Sequence, residues 1–114
     1  MQNKKNEHFV IKKDERNGYL FLNALANKRM VAEFFLDLKP EHRRCHIVRA
    51  RLNHNSSKIC ERMLREINKN ENYEITIVLY NYEKDLKKVF VQQGFLFYQL
   101  SGEREIGYLS GRFV

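Results

Sequence analysis

The first half of the chain consists of short hydrophobic runs separated by polar segments. The runs cover residues 7–13, 19–26, 29–38 and 44–52 and are rich in β-branched and aromatic side chains. Asn17-Gly18 between the first two runs is a turn signal, and the single proline lies in the polar segment before the fourth run. Runs of this length between turn signals are typical of strands, so this half predicts an antiparallel meander of four strands.

The hydrophobic spacing changes after residue 52. A polar segment at 53–57 precedes apolar residues at helical spacing, namely Ile59, Cys60, Met63, Leu64 and Ile67. Residues 73–80 are apolar enough to form a strand buried on both faces, as parallel strands are. A strand, a helix and a further strand in this order predict a parallel crossover.

A second helix and two more strands complete the pattern. The helix has Leu86, Val89 and Phe90 on its core side, and Gly94 suits its C-terminal end. The strands are expected at 95–100 and 106–114. The whole order predicts an α+β fold, in which an antiparallel β-meander is followed by α-β-α-β(β) and the mixed sheet is flanked by two helices.

Alternation within residues 44–52 assigns side chains to the two faces of the predicted fourth strand. Cys45, Ile47, Arg49 and Arg51 are expected on one face, and His46, Val48, Ala50 and Leu52 on the other. The arginine end of the first face is expected to be solvent-accessible because arginine is rarely buried.

The composition is that of one folded domain. The chain has 114 residues, of which 43% are hydrophobic and one is proline, which excludes disordered and low-complexity classes. We expect a single domain over 1–114 with a flexible N-terminus at 1–8. No run is long enough for a membrane span and the N-terminus has no apolar signal core, so a cytoplasmic protein is expected. Cys45 and Cys60 lack partners at ligand spacing, and we expect no metal site.

The chain is strongly basic. Lys and Arg number 21 against 14 Asp and Glu, a net charge of +7. Such a surface attracts polyanions, which include nucleic acid, phosphorylated cofactors and acidic proteins. A merely solubilising basic surface is the alternative.

The junction between the fourth strand and the first helix is the candidate anion site. Helix N-termini offer unpaired N–H groups and a partial positive charge to phosphates. The residues expected to bind a phosphorylated cofactor there are Arg49, Arg51, Leu52, Asn55, Ser56, Ser57 and Lys58. Ordinary helix capping by the serines is the alternative.

Two stretches resemble a known family, the GNAT-type acyl-CoA N-acyltransferases. Residues 47–64 are similar to its cofactor strand, pyrophosphate loop and helix, and residues 82–95 to its second helix, which ends in Gly-Phe, here Gly94-Phe95. The resemblance covers residues 19–100. It implies acetyl-CoA or another acyl-CoA as cofactor and transfer of the acyl group to an amine.

The sequence also departs from the family pattern. Lys58 and Cys60 stand where the family has loop glycines, Asn55 stands at the usual Arg or Gln, and Phe90 stands at the general-acid tyrosine. The segment before Phe9 is too short for the helices that build the acceptor side in the family. Whether the chain is an enzyme is therefore left open at this point.

Candidate catalytic residues are a pair of carboxylates and a tyrosine. Glu33 and Asp37 lie four residues apart on one strand, hence on one face, where either could accept a proton from an amine. His46 is a further candidate base, and Tyr80 is a substitute for the missing acid. Solvent-facing structural residues are the alternative for each.

The second hypothesis is a catalytically inactive GNAT-like module that binds nucleic acid or a protein partner. Basic residues at 39–51 would attract a polyanion or an acidic protein, and exposed tyrosines would stack on bases. No nucleic-acid-binding motif accompanies them.

Overall fold

The computed structural model describes residues 9–53, 57–69 and 72–109. Its strands and helices are β1 (Val10–Arg16), β2 (Tyr19–Ala26), β3 (Arg29–Lys39), β4 (Arg44–Leu52), α1 (Ser57–Ile67), β5 (Glu74–Tyr80), α2 (Lys84–Gln92), β6 (Leu96–Gln99) and β7 (Arg104–Leu109), with a short 3-10 turn at Pro40–His42. The expected flexible segment at 1–8 and the expected end of the last strand at 110–114 lie outside the described residues.

The strands form one mixed sheet. Its order is β1-β2-β3-β4-β5-β7-β6, and every neighbouring pair is antiparallel except β4 and β5, which are parallel and joined through α1. The predicted α+β fold, a meander of four strands followed by α-β-α-ββ, is confirmed.

The first hairpin is tighter than the sequence pattern suggested. Arg16 pairs with Tyr19, so the turn contains only Asn17 and Gly18, with φ of 51° and 83°. Both residues have positive φ, as a type I′ hairpin requires. The charged residues 14–16, expected in the turn, therefore belong to β1, where charges protect an edge strand from pairing with other chains.

Both helices pack on the same face of the sheet, which we name the covered face. Phe34 of β3 and Phe90 of α2 lie with ring centroids 6.0 Å apart, and Phe90 meets Phe95 at 5.0 Å. Cys60, Met63, Leu64 and Ile67 of α1 enter the same core. The opposite face, which we name the open face, is covered by no described helix.

An extra residue in β4 changes the assignment of its side chains. Leu36 pairs with Ile47 whereas Phe35 pairs with Arg49, so Val48 has no partner of its own and forms a β-bulge. The bulge reverses the alternation beyond it. Ala50 and Leu52 pack against the core, and Arg49 and Arg51 lie on the open face. The expectation that both arginines share a face with Cys45 and Ile47 was wrong, because strict alternation assumes no bulge.

Candidate functional site

The parallel strands β4 and β5 separate after a short paired region. Their pairing covers Arg44–Ile47 and Glu74–Ile77 and ends there. Beyond it, β4 continues along β3 as far as Leu52, and β5 continues along β7 as far as Tyr80. The two diverging halves, 48–52 and 78–80, leave backbone N–H and C=O groups facing a gap in the sheet, which we name the split.

The start of α1 adjoins this end of β4 in the chain. The Ser57 hydroxyl donates to the Gln92 side chain, and the Gln93 amide donates to the Ser57 carbonyl at 3.1 Å, so α2 fixes the first turn of α1. Lys58 is exposed, the first turn contains no acidic residue, and no described residue forms an ion pair with Lys58. A positive charge therefore lies at this helix end, where the helix dipole is also positive.

Cys60, at the position of the family's second loop glycine, is fully buried in the core. Its side chain lies beneath the helix, so it does not cover the exposed helix end. Lys58, at the first glycine position, points its charge to solvent. The two departures from glycine thus place one side chain in the core and the other in solvent.

The predicted anion-binding residues do not all lie together. Ser57 and Lys58 lie together at the helix start, whereas Asn55 and Ser56 lie outside the described residues. Arg49 and Arg51 lie across the sheet on the open face, where Arg51 approaches Glu33 at 3.9 Å. Leu52 packs partly against the core.

A groove of about 510 Å³ runs between the two helices. It is lined by Glu61, Leu64, Arg65, Asn68, Gln92, Gln93 and Leu109. Gln92 and Gln93 are the residues that hold Ser57, so the groove adjoins the helix start. Arg65 is held at its wall by a 2.9 Å bond to Glu61.

The two candidate carboxylates share the open face, as alternation indicated. Asp37 pairs with His46 across β3 and β4, and Glu33 pairs with Arg51. Both carboxylates are partly buried and lie near cations: Asp37 is 3.5 Å from Lys39, and Glu33 is 3.9 Å from Arg51.

His46 occupies a more constrained position than either carboxylate. It lies two residues before the split, and its Nδ1 is 2.8 Å from the hydroxyl oxygen of Thr76 on β5. Burial lowers the pKa of His46 below its ordinary value of 6.5, and the nearby Asp37 carboxylate opposes part of this effect. The imidazole is therefore neutral at neutral pH and able to accept a proton.

Thr76 is a site residue that sequence reasoning missed. It meets His46 only because β4 and β5 pair in parallel with this register. The two residues are 30 positions apart, and the sequence between them holds no signal that fixes the register. The alternation of residues 73–80 would have placed Thr76 on a face but not beside His46.

The two aromatic candidates for the general acid lie in different environments. Phe90 is fully buried among Phe34 and Phe95, so the position that aligns with the family's tyrosine belongs to the core. Tyr80 is 49% exposed at the end of β5, beside the split, and stacks on Tyr82 at 5.3 Å. The position of Tyr80 allows its hydroxyl to meet a bound molecule.

The two cysteines are core residues. Cys45 and Cys60 are both free and buried, and burial raises the pKa of each thiol to about 12. Neither is a ready nucleophile. In the described ranges, no group of three or more His, Cys, Asp or Glu could hold a metal ion. None of the described helices has the length and apolar character needed to cross a membrane.

Solved structures of N-acetyltransferases have the same arrangement. The Campylobacter jejuni N-acetyltransferase PseH matches 83% of this chain with a TM-score of 0.67 and 8% identity, over 70% of its own length. The chain has a GNAT-type fold. PseH has also been solved in complex with acetyl coenzyme A.

Two further acetyltransferases extend this fold comparison. A probable acetyltransferase from Staphylococcus epidermidis matches 82% of the chain with a TM-score of 0.65 and 14% identity, over 68% of its length. An acetyltransferase from Thermus thermophilus matches 82% of the chain with a TM-score of 0.67 and 14% identity, over 65% of its length. No protein-family model and no curated protein sequence matches the chain. The likeness is one of fold.

Proposed function

We propose that this protein is an N-acyltransferase that uses acetyl-CoA or another acyl-CoA as donor and an amine as acceptor. The observation that carries the proposal is the split between β4 and β5 beside the start of α1. A gap between parallel strands exposes backbone hydrogen-bonding groups, and the adjoining helix end favours phosphate. The fold shared with N-acetyltransferases supports the same interpretation.

The residues present suit an acyl-CoA. Ser57 and Lys58 would hold its pyrophosphate at the start of α1, and Asn55 and Ser56, which precede them in the sequence, stay predictions for the same role. The groove between the helices would receive its nucleotide end, and its acyl end would lie at the split. The exposed ammonium of Lys58 and the absence of acidic residues in the first turn support this assignment. Arg49 and Arg51 lie on the open face, whereas α1 packs on the covered face. A role for these arginines in binding the cofactor therefore stays a prediction.

The acceptor amine must lose a proton when it forms the new amide bond. A bound acyl-CoA supplies the thioester whose acyl group is transferred. We assign the proton-accepting role to His46, because its lowered pKa keeps it neutral and Thr76 fixes its ring beside the split. Asp37, next to His46 across the strands, would stabilise the imidazolium that forms.

The departing sulfur of the donor needs a proton in turn. Tyr80 is the candidate for this role, because it lies at the end of β5 beside the split and is half exposed. Glu33 stays a prediction as an alternative base, and it lies 3.9 Å from Arg51.

Release of the CoA thiol in the presence of acetyl-CoA and a panel of small amines and peptide N-termini tests the proposal. A thiol-reactive dye is a clean readout, since both protein thiols are buried. We expect amine-dependent release that falls about 100-fold or more in His46→Gln, whereas His42→Gln, at an exposed loop histidine, keeps the wild-type rate. Binding of acetyl-CoA without release for any amine would favour the inactive interaction module instead.

A further inference from the structure

Two arginines follow His46 along β4 on the open face. In the register with β3, Arg49 lies two positions beyond His46 and Arg51 lies four positions beyond it, which is roughly 7 and 13 Å along the strand. Both arginines belong to the half of β4 that borders the split. The proposed base and two cations therefore lie in one row beside the split.

The bulge at Val48 places both arginines in this row. With regular alternation they would share a face with the buried Ile47, which is the face that α1 and α2 cover. β-Bulges are common next to active sites, where they re-aim side chains. Here the bulge turns two guanidinium groups away from the core and towards the face that carries His46.

The charge of these arginines is poorly compensated by the protein itself. No described residue forms an ion pair with Arg49, and the distance from Arg51 to Glu33 is 3.9 Å, at the limit of an ion pair. The Arg51 side chain is 69% exposed and that of Glu33 only 24%, so the guanidinium extends past the carboxylate into solvent. A guanidinium has five N–H donors, so donors are left on each arginine for a ligand.

We propose that the acceptor amine carries an anionic group, a carboxylate or a phosphate, which Arg49 and Arg51 bind while the amine lies at His46. Arginine binds both kinds of anion through paired, charge-assisted hydrogen bonds. A depression of about 200 Å³ next to Arg51 offers room for this end of the acceptor. It is lined by Met30, Ala32, Glu33, Arg51 and Asn53.

The inference rests on the proposed acyl transfer and gives the two ends of the acceptor separate roles. The amine nitrogen forms the new bond to the acyl carbon and passes its proton to His46. The carbon–sulfur bond of the donor breaks, and the sulfur takes a proton from Tyr80. The anionic end takes no part in these steps and holds the amine in place. Loss of the arginines should therefore raise the KM for the acceptor more than it lowers kcat.

Acceptors that differ only in the anionic group test the proposal in the CoA-release assay. The pairs are γ-aminobutyrate with its amide, and O-phosphoethanolamine with ethanolamine. We expect at least one anionic acceptor to have a kcat/KM about tenfold or more above that of its neutral counterpart, as one hydrogen bond between charged groups provides. The pair that shows the preference identifies the anion as carboxylate or phosphate. Equal kcat/KM within both pairs would overturn the proposal.

Substitution of the arginines tests whether they cause the preference. In Arg49→Gln/Arg51→Gln it should disappear, mainly through the KM of the anionic acceptor, whereas Arg49→Lys/Arg51→Lys should retain most of it because the charges remain. Arg44 is a matched control on the same strand and face: its side chain is 68% exposed and lies 3.8 Å from Glu74, but on the far side of His46 from the split. Arg44→Gln should keep the preference. If Arg44→Gln removes it as fully as the double glutamine variant does, the assignment to the split is wrong.

Binding measurements separate this proposal from the acyl transfer itself. In an NMR titration with CoA present, which has no acyl group to transfer, the anionic compounds should shift the side-chain N–H signals of Arg49 and Arg51, and the neutral ones should not. Such binding without release of CoA from acetyl-CoA by any amine would refute the acyl transfer and leave the anion site standing. Neither binding nor release would overturn both. Loss of acetyl-CoA binding in Arg49→Gln/Arg51→Gln would assign the arginines to the cofactor and overturn the proposal.

Discussion

The two faces of the sheet differ although the same strands build both. On β3, Phe34 is fully buried under the helices, whereas its neighbour Phe35 is partly exposed on the open face. The covered face is closed by α1 and α2, and the open face combines aromatic rings with paired charges. The comparison teaches that the stability of the fold comes from one face, and that the other face is free for contacts outside the chain.

Substitution of the two adjacent phenylalanines gives the largest expected effect. Phe34→Ala should lower the free energy of unfolding by about 3–5 kcal/mol, because it leaves a cavity in the core. Phe35→Ala should cost roughly 1 kcal/mol, because it removes only ring contacts with Tyr19 and Phe21 on a surface. Urea unfolding at low protein concentration measures both. Equal losses in the free energy of unfolding would contradict the proposed difference between the two faces.

Gly107 tests how tightly the side chains on the covered face are packed. A Cβ added to Gly107 would lie 2.6 Å from Cε2 of Phe97, which is too close for any real contact. Gly107→Ala should therefore cost about 1–3 kcal/mol by overpacking. In a double-mutant cycle with Phe97→Leu, most of this cost should disappear, because the smaller side chain leaves room. Additive losses in the cycle would show that the ring is not the cause.

The pH dependence of stability gives the smallest expected effect and concerns the open face. Burial lowers the pKa of His46 in the folded state, so the unfolded chain binds the proton more tightly. The part of the free energy of unfolding that depends on a neutral His46 is fully present above about pH 6.5. It is lost as the pH falls through the lowered folded-state pKa. Wild-type protein should therefore lose more stability than His46→Gln between about pH 7.5 and pH 5.5. Identical losses in urea unfolding would contradict a buried neutral imidazole.

The order of elements and most of the core could be predicted from the sequence because both follow from local hydrophobic spacing. The stripe of α1 entered the core as expected. The expectation that β5 is buried on both faces was wrong: only Ile75, Ile77 and Leu79 are buried, because no described helix covers the open face. The positions of Arg49 and Arg51 could not be predicted, because the bulge at Val48 depends on how β4 pairs with β3. A prediction from strict alternation does not detect an inserted residue.

The candidate site was predictable only where its residues adjoin in the chain. Ser57 and Lys58 come together through the helix start alone, whereas His46 and Thr76 meet through the parallel register of two strands. The need for glycine at 107 depends likewise on a ring from β6. Contacts between segments distant in the sequence set these features. They cannot be predicted without knowing which strands pair and in which register.

Thermal unfolding with and without acetyl-CoA tests the central claim most directly, since a ligand that binds only the folded state raises its stability. At about 100 times its dissociation constant, acetyl-CoA should add about 2.7 kcal/mol, a rise of roughly 10 °C in the unfolding midpoint for a domain of this size. Lys58→Glu should abolish the rise, because it places a negative charge at the helix start. Lys69→Glu, the same change beyond the other end of α1, should keep it. The absence of any shift in the wild-type protein would contradict the proposed cofactor site.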